Sequence, residues 1–556
     1  MKKPSLEQLT LREKIGQTVV FRHMLYGDIK PEDFREYFKN NTIGFTWPMG
    51  HPKEVYKPSE TLLGNPELIG RKDDMNIRLM NLINENMSIP VMPATDAPQG
   101  LVPAKFEDHG LLPTASGLGA ADSPELAYRY GKTLGDDLYS VGFRWLWSPV
   151  ADNAGKFMDS RTLSSDRERN CELLTAFING VHDAGVATAV KHFPGKDPYE
   201  YRDSHFCTSA YTPSLEEWYN EQGKEFIACI KAGVDGIMVG HGCFPAVDNT
   251  RVNGAMLPCT LSYKVLTEFI KGELGFEGVV FTDDCDMKGL TSIYQEEKLY
   301  VELLRAGNDV VLGPTRLDYV DIVERAVLSG DLPESRIDDA CRRVLNLKEK
   351  YGIFEQGVLP IPTEEKRAEI KANLHAVAEE IAARGLSLSA NRTGFVPMKK
   401  GIKRAAVFYI GYSDLCFENL QYMKDEFARY GVECDIKKGY QKSDEVGLED
   451  YDVIIYATYI GFHAPLGGHY FFGAECRMLW DIMTKCVEKS VAVSFGDPNI
   501  FYNYFTACPT FVNCYSTNRE TMEGFVRGLF GDIKFTDFHP FPLNPVTGTN
   551  DVYGTM

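Results

Sequence analysis

Gly185-Val186-Ala187-Thr188-Ala189-Val190-Lys191-His192-Phe193-Pro194-Gly195 reads as a buried strand that ends in chemistry. Small and apolar residues of strand length stop at a lysine and a histidine, and Phe-Pro-Gly then turns the chain out into a loop. That loop is dominated by Gly, Pro, Lys, Asp and Tyr and carries Asp203-Ser204-His205. A loop fixed to a buried strand is where a scaffold places reactive groups. Asp203 and His205 suit a dyad in which the carboxylate orients the imidazole and favours its charged form. A solvated polar loop is the plain alternative on composition.

Working outward, short apolar runs alternate with amphipathic stretches of helix length up to about residue 355. The strands expected are Gln17–Arg22, Ile43–Trp47, Ile89–Thr95, Arg144–Ser148, Gly185–Lys191, Gly236–Gly240, Gly278–Thr282 and Asp309–Gly313. Between most of them lie helical stretches: Asn76–Asn86, Glu125–Ser140, Arg167–Ala184, Ser214–Ala232, Ser262–Leu274 and Glu296–Ala306. Strands separated by crossover helices pair in parallel, and eight of them suit a closed (β/α)8 TIM-type barrel; a doubly wound open sheet is the structural alternative.

Helices follow at Asp338–Tyr351 and Arg367–Leu386, separated by the Gly/Pro-punctuated stretch 352–362. A second alternation then runs through strands Ala405–Ile410, Glu433–Lys437, Val453–Thr458, Val491–Phe495 and Thr510–Tyr515. Helices Leu415–Tyr430, Ala474–Lys489 and Arg519–Phe530 accompany these strands. The whole is an α/β chain: a catalytic barrel over 1–355, a linker with a helix over 356–400, a smaller three-layer α/β sandwich domain over 401–535, and an extended tail over 536–556.

Composition narrows the function. Fifty-nine Lys and Arg against 78 Asp and Glu give a formal charge of −19 without any basic run, which disfavours nucleic acid as a partner. No apolar stretch approaches a membrane span, and the N-terminus lacks the apolar core of a signal peptide. Thirteen cysteines without a Cys-x-x-Cys pair suit reduced thiols in a cytoplasm and offer no metal site. The expectation is a cytoplasmic protein that needs no metal and no cofactor; its oligomeric state is open, with a dimer among the options.

In a β/α barrel the polar residues at the carboxyl ends of the strands face one mouth. Here these are Asp96 after the third strand and Asp152 after the fourth, with Arg161 downstream. The fifth ends in Lys191-His192 and the dyad loop, the sixth in His241, the seventh in Asp283-Asp284. Each has a plainer role open to it. Asp284 or Asp286 could cap the helix that follows, Arg161 could pair with Asp159, His241 could be a satisfied structural histidine, and Asp152 could orient backbone.

Two stretches together resemble the signatures of glycoside hydrolase family 3, in its β-N-acetylglucosaminidase (β-N-acetylhexosaminidase) branch. They are Lys191-His192-Phe193-Pro194-Gly195 with Asp203-Ser204-His205, and Leu274-Gly275-Phe276-Glu277-Gly278-Val279-Val280-Phe281-Thr282-Asp283-Asp284. Ser123-Pro124-Glu125-Leu126-Ala127 and Ser148-Pro149-Val150-Ala151-Asp152 support the likeness. The resemblance implies a retaining exo-glycosidase for terminal β-linked N-acetylglucosamine. Asp283 would be the nucleophile, His205 the general acid/base and Asp203 its orienting partner. Lys191, His192, Arg161 and Asp96 would bind sugar hydroxyls, with His241 at the pocket wall. That division of labour suits glycoside cleavage, in which a leaving oxygen is protonated while a carboxylate forms a covalent intermediate.

The sequence also departs from the family pattern. Pro194-Gly195 continues as Lys196-Asp197-Pro198-Tyr199-Glu200-Tyr201-Arg202 where Pro-Gly-His-Gly is common, and Asp96-Ala97-Pro98-Gln99-Gly100-Leu101 replaces Asp-x-Glu-Gly-Gly-Arg. These changes touch the rim and so the identity of sugar and aglycone. Lys196 and Arg202 place positive charge on the dyad loop, or simply face solvent. Three rivals follow. A phosphorylase would use phosphate in place of water. A β-glucosidase or β-xylosidase of the same family would draw its acid from the second domain, near 461–469 and Glu475. A catalytically silent sugar-binding protein would share only the scaffold.

Overall fold

The computed structural model describes residues 2–21, 38, 40–47, 72–97, 112–152, 161–200, 202, 204–291, 293–460 and 473–553. The chain divides into two compact units. The first takes 1–109, 131–152 and 174–371; the second takes 110–130, 153–173 and 372–556. Two segments inside the first 355 residues therefore cluster with the second unit.

The first unit is a barrel of eight parallel strands: β1 (Val19–Phe21), β2 (Phe45–Thr46), β3 (Met92–Thr95), β4 (Trp145–Leu146), β5 (Ala187–Phe193), β6 (Gly236–Val239), β7 (Val279–Thr282) and β8 (Val311–Leu312). They neighbour one another in chain order, with β8 beside β1. The ring is completed between β7 and β8 by one bridge, Phe281–Val310. Side chains help stitch this seam: the Val280 amide donates to Asp309 Oδ2 at 2.9 Å and the Leu312 amide to Thr282 Oγ1 at 3.0 Å. Main-chain bonds from Asp309 to Val280 (2.7 Å) and from Thr282 to Val310 (3.2 Å) complete it.

All eight expected strands are present, each a short run buried on both faces and most of them carrying β-branched or aromatic residues. The interior is filled by large rings. Trp145 packs on Phe45 and Phe281 with centroids 4.7 Å apart in both cases, and Trp147 meets Trp47 edge-on at 4.9 Å. Gly236 makes room for this, since a Cβ there would lie 2.8 Å from the Trp145 ring. The interior is thus a packed core with its open end at the strand carboxyl termini.

The helical reading needed revision in two places. The stretch 214–232 is two helices, Leu215–Asn220 and Gly223–Lys231, broken where Glu221 takes φ −120° and ψ −107°. Lys264–Glu273 is wound as a π-helix. Helix Tyr319–Leu328 and the small ribbon Arg251–Val252/Ala255–Met256 had no counterpart in the sequence reading.

The second unit is built on a six-stranded sheet: β9 (Ser387–Asn391), β10 (Arg404–Gly411), β11 (Glu433–Lys438), β12 (Val453–Tyr459), β13 (Ser490–Ser494) and β14 (Thr510–Asn513). Its order is β9-β14-β13-β12-β10-β11, and only β9 runs antiparallel, against β14. Along β10, Ala405, Val407 and Tyr409 join one apolar layer, with helices Asp414–Arg429 and Arg519–Phe530. Ala406, Phe408 and Ile410 join the opposite layer, with helix Ala474–Cys486. Alternate residues feed opposite layers, which makes three layers. β9 lies inside 356–400, so that stretch supplies an edge strand as well as helix Glu364–Gly385.

Candidate active site

The carboxyl ends of β3 to β7 gather the polar residues of the first unit. Lys191 is 1% exposed, so its ammonium needs a partner, and Nζ donates to Asp96 Oδ1 at 2.6 Å. His192 is joined twice to Asp152: its amide donates to Oδ1 and its ring Nδ1 meets Oδ2, both at 2.8 Å. The strands carrying these residues are zipped at this level by the Ala151 amide on the Lys191 carbonyl at 2.7 Å. Gln222 donates to the Ala151 carbonyl at 2.5 Å. Its side chain lies where a Cβ on Gly195 would be, and Gly195 takes φ +105°, so glycine is required there.

Asp283 follows β7, with its amide on the Val239 carbonyl at 3.0 Å. Its half-buried carboxylate accepts the Asp284 amide at 2.8 Å. Burial alone would push this carboxyl up. His192, His241, the Asp284 amide and Lys191 outweigh that and hold it below the usual carboxylate range. The group is therefore an anion ringed by cationic and donor groups. Asp284 turns the other way; its carboxylate lies against Gly313 (φ +64°), where a Cβ would come within 2.8 Å of Oδ1.

His241 is 2% exposed and both ring nitrogens are engaged: Nε2 with the Asp284 carbonyl at 2.9 Å, Nδ1 with Thr260 Oγ1 at 3.0 Å. A carbonyl only accepts, so Nε2 carries the hydrogen. Burial lowers its pKa despite the opposing charge of Asp283. This histidine holds the turn behind Asp283, as the plainer reading of it as a satisfied structural histidine expects.

The dyad loop is fastened across the same mouth. The His205 carbonyl accepts the Lys288 amide at 3.0 Å, five residues beyond Asp283, and Ala210 bridges Cys243. His205 is half-buried and close enough to His241 to act on it electrostatically. Asp197 anchors the loop's base, accepting from the Thr212 amide (2.8 Å), the Thr212 hydroxyl (2.5 Å) and the Tyr199 amide (2.8 Å). Arg202 is tied to Glu200 by bonds of 2.8 and 2.5 Å. The positive charge expected of it on this loop is thus largely compensated.

Asp96, Lys191, His192, His241 and Asp283 are accordingly brought together in one unit, with His205 on the adjoining loop. Asp203 lies outside the described residues, as do residues 461–472 of the loop considered as an alternative acid source. Arg161 is half-buried and falls in the second unit. Gln222 was missed because its stretch has a continuous helical pattern that hides the break before it. Among the described residues no group of three or more His, Cys, Asp or Glu side chains could hold a metal ion, and no helix is long and apolar enough to cross a membrane.

A β/α-barrel enzyme with an ionised carboxylate among histidines and a lysine is the class that this geometry defines. Residues 10–347 match the glycosyl hydrolase family 3 N-terminal domain, and the chain belongs to that family of glycoside hydrolases. It is 29% identical over 294 residues to a β-N-acetylglucosaminidase/β-glucosidase of Cellulomonas fimi, covering 51% of this chain and 51% of that one. The match thus spans about half the length of that relative. A β-hexosaminidase of Idiomarina loihiensis is 29% identical over 274 residues, covering 48% of this chain and 79% of its own. Among solved structures, a family 3 β-N-acetylglucosaminidase from Paenibacillus sp. str. FPU-7 superposes with a TM-score of 0.79 at 22% identity, covering 96% of this chain and 99% of that one. The β-glucoside phosphorylase BglX gives 0.80 at 20%, covering 97% and 95%.

Proposed function

We propose that this chain is a retaining exo-β-N-acetylhexosaminidase that releases terminal β-linked N-acetylglucosamine through a glycosyl-enzyme intermediate. The observation that carries the reading is the Asp283 carboxylate at the end of β7, fixed by its own amide on the Val239 carbonyl and by the Asp284 amide at 2.8 Å, and held below its usual range by His192, His241 and Lys191. Such a group can attack an anomeric carbon from one face of the sugar, forming an ester as the aglycone oxygen leaves. His205 gives that oxygen its proton and then takes one from the incoming water, which restores both enzyme groups. Asp203 orients the imidazole. Asp96, Lys191 and His192 hold hydroxyls of the terminal sugar, and the similarity to hexosaminidase-named relatives supports an amino sugar. The protein acts in the cytoplasm on small soluble fragments and needs no metal or cofactor.

The test is one-dimensional proton NMR of the first product formed from an aryl β-N-acetylglucosaminide and from an aryl β-glucoside. Faster release of β-configured N-acetylglucosamine supports the reading. Release of the α anomer would remove retention, and preference for the glucoside would move the chain to the β-glucosidase branch.

A further inference from the structure

Asp152 has no chemical step in the mechanism above, yet its bonds are among the most constraining in the mouth. One carboxylate accepts both the His192 amide and, at the other oxygen, the ring Nδ1. Since a carboxylate has no hydrogen to give, Nδ1 is the donor and Nε2 is the ring atom left for a ligand. Gripping main chain and ring together removes the imidazole's freedom to swing, and the Ala151–Lys191 and Gln222–Ala151 bonds fix the carboxylate's own backbone.

The charged and titratable groups around His192 are Lys191 on its own strand with its partner Asp96, Asp283 from the end of β7, His241 from the end of β6, and His205 on the loop. Of the charges that hold the Asp283 carboxyl down, His192 is the strongest. A ring held in place thus keeps its share of the pull that lowers the Asp283 carboxyl, beside those of His241, the Asp284 amide and Lys191, and a freed ring would weaken that share.

We propose that Asp152 is a positioning residue for the nucleophile, acting through His192 by fixing the ring's tautomer and its place beside Asp283. The inference rests on the reading of Asp283 as nucleophile. It predicts that Asp152→Asn, which keeps the shape but gives up the charge and one acceptor atom, moves the acid limb of kcat/KM on an activated aryl glycoside upward. The expected shift is about half a pH unit or more. His192→Gln should move the same limb the same way, and the double variant should add nothing further. Additive shifts, or a uniform loss at every pH, would overturn the proposal. Histidine-labelled protein supplies a measurement that needs no turnover. Above the usual imidazole range, 15N NMR, with His192→Gln identifying the signals, should show His192 hydrogen on Nδ1 in the unaltered protein. Hydrogen on Nε2 there would overturn the proposal even if Asp152→Asn failed to fold. Inactivity of the unaltered protein on every aryl β-glycoside would instead sink the glycosidase reading and leave the NMR result to decide the role of Asp152.

Discussion

The main-chain carbonyl of His205 accepts the amide of Lys288 at 3.0 Å, which hooks the loop of the proposed proton donor onto the turn behind the proposed nucleophile. Thr208 and Gly289 strengthen the join: the threonine hydroxyl reaches the Gly289 carbonyl at 3.4 Å, and a Cβ on Gly289 would lie 3.1 Å from the Cys207 carbonyl. Two groups that must act on one bond from opposite sides are thereby referred to a common piece of backbone.

If Asp283 forms the ester, Asp283→Ala should cost about three orders of magnitude or more in kcat on an activated substrate, with circular dichroism unchanged. Azide should restore turnover as glycosyl azide. Near-normal kcat in this variant, with loss on Asp284→Ala instead, would transfer the role to Asp284.

Removing His205 should separate substrates by leaving group. A nitrophenolate departs almost unaided, whereas a sugar alkoxide needs a proton. His205→Ala is therefore expected to lose at least about tenfold more kcat/KM on a disaccharide than on a nitrophenyl glycoside. Equal losses on both would make His205 structural.

Water and phosphate compete for the same intermediate. A neutral imidazole repels an incoming phosphate dianion less than a carboxylate base would, which favours phosphorolysis. The Glu200–Arg202 pair works against it by compensating one of the two cations named on the loop. Free sugar is the expected main product in phosphate and in a non-coordinating buffer at equal ionic strength, with phosphate allowed to speed turnover. Product NMR dominated by sugar 1-phosphate would reverse the assignment in favour of a phosphorylase.

At the closed end of the barrel Lys348 is fully buried, with Nζ on Gln17 Oε1 at 2.6 Å and the Pro90 carbonyl at 2.7 Å. Burial lowers its pKa to about 7 from an ordinary 10.5, against a small opposing pull from Cys341. Between those values the unfolded chain binds a proton that the folded chain does not, so stability from this site rises with pH through the window and is lowest below it. Lys348→Met also leaves Gln17 and Pro90 unpaired, a cost independent of pH. The stability difference between the two proteins should therefore shift in favour of the unaltered one by on the order of 1 kcal/mol per pH unit within the window. Parallel urea stabilities at every pH would refute this.

The barrel was legible because strands buried on both faces are written as near-continuous β-rich runs, as at Val279-Val280-Phe281-Thr282. The edge strand β9 was not, because Ser387-Leu388-Ser389-Ala390-Asn391 is largely polar and follows directly on a long helix. Of the site, Lys191, His192 and Asp283 could be read from strand ends. The grip of Asp152 on His192 could not, since the partners lie 40 residues apart and meet only when β4 and β5 align. The compensation of Arg202 by Glu200 was missed although it is local, because charges on a loop have no periodicity to read.

The seam between β7 and β8 also bears on how far this scaffold can be altered. Elsewhere around the ring most of the described bonds between neighbouring strands are main-chain pairing, although the Thr188 amide also donates to Asp235 Oδ2 at 3.0 Å. At this seam two of the bonds come from the particular side chains Thr282 and Asp309. Transplanting the segment that carries Asp283 into another barrel would therefore mean transplanting residues on both sides of the join, including Asp309, which has no chemical duty. Exchange of the loop that bears His205 meets a linkage of its own through the Lys288 amide and Gly289, so that loop and the segment bearing the nucleophile would have to travel together.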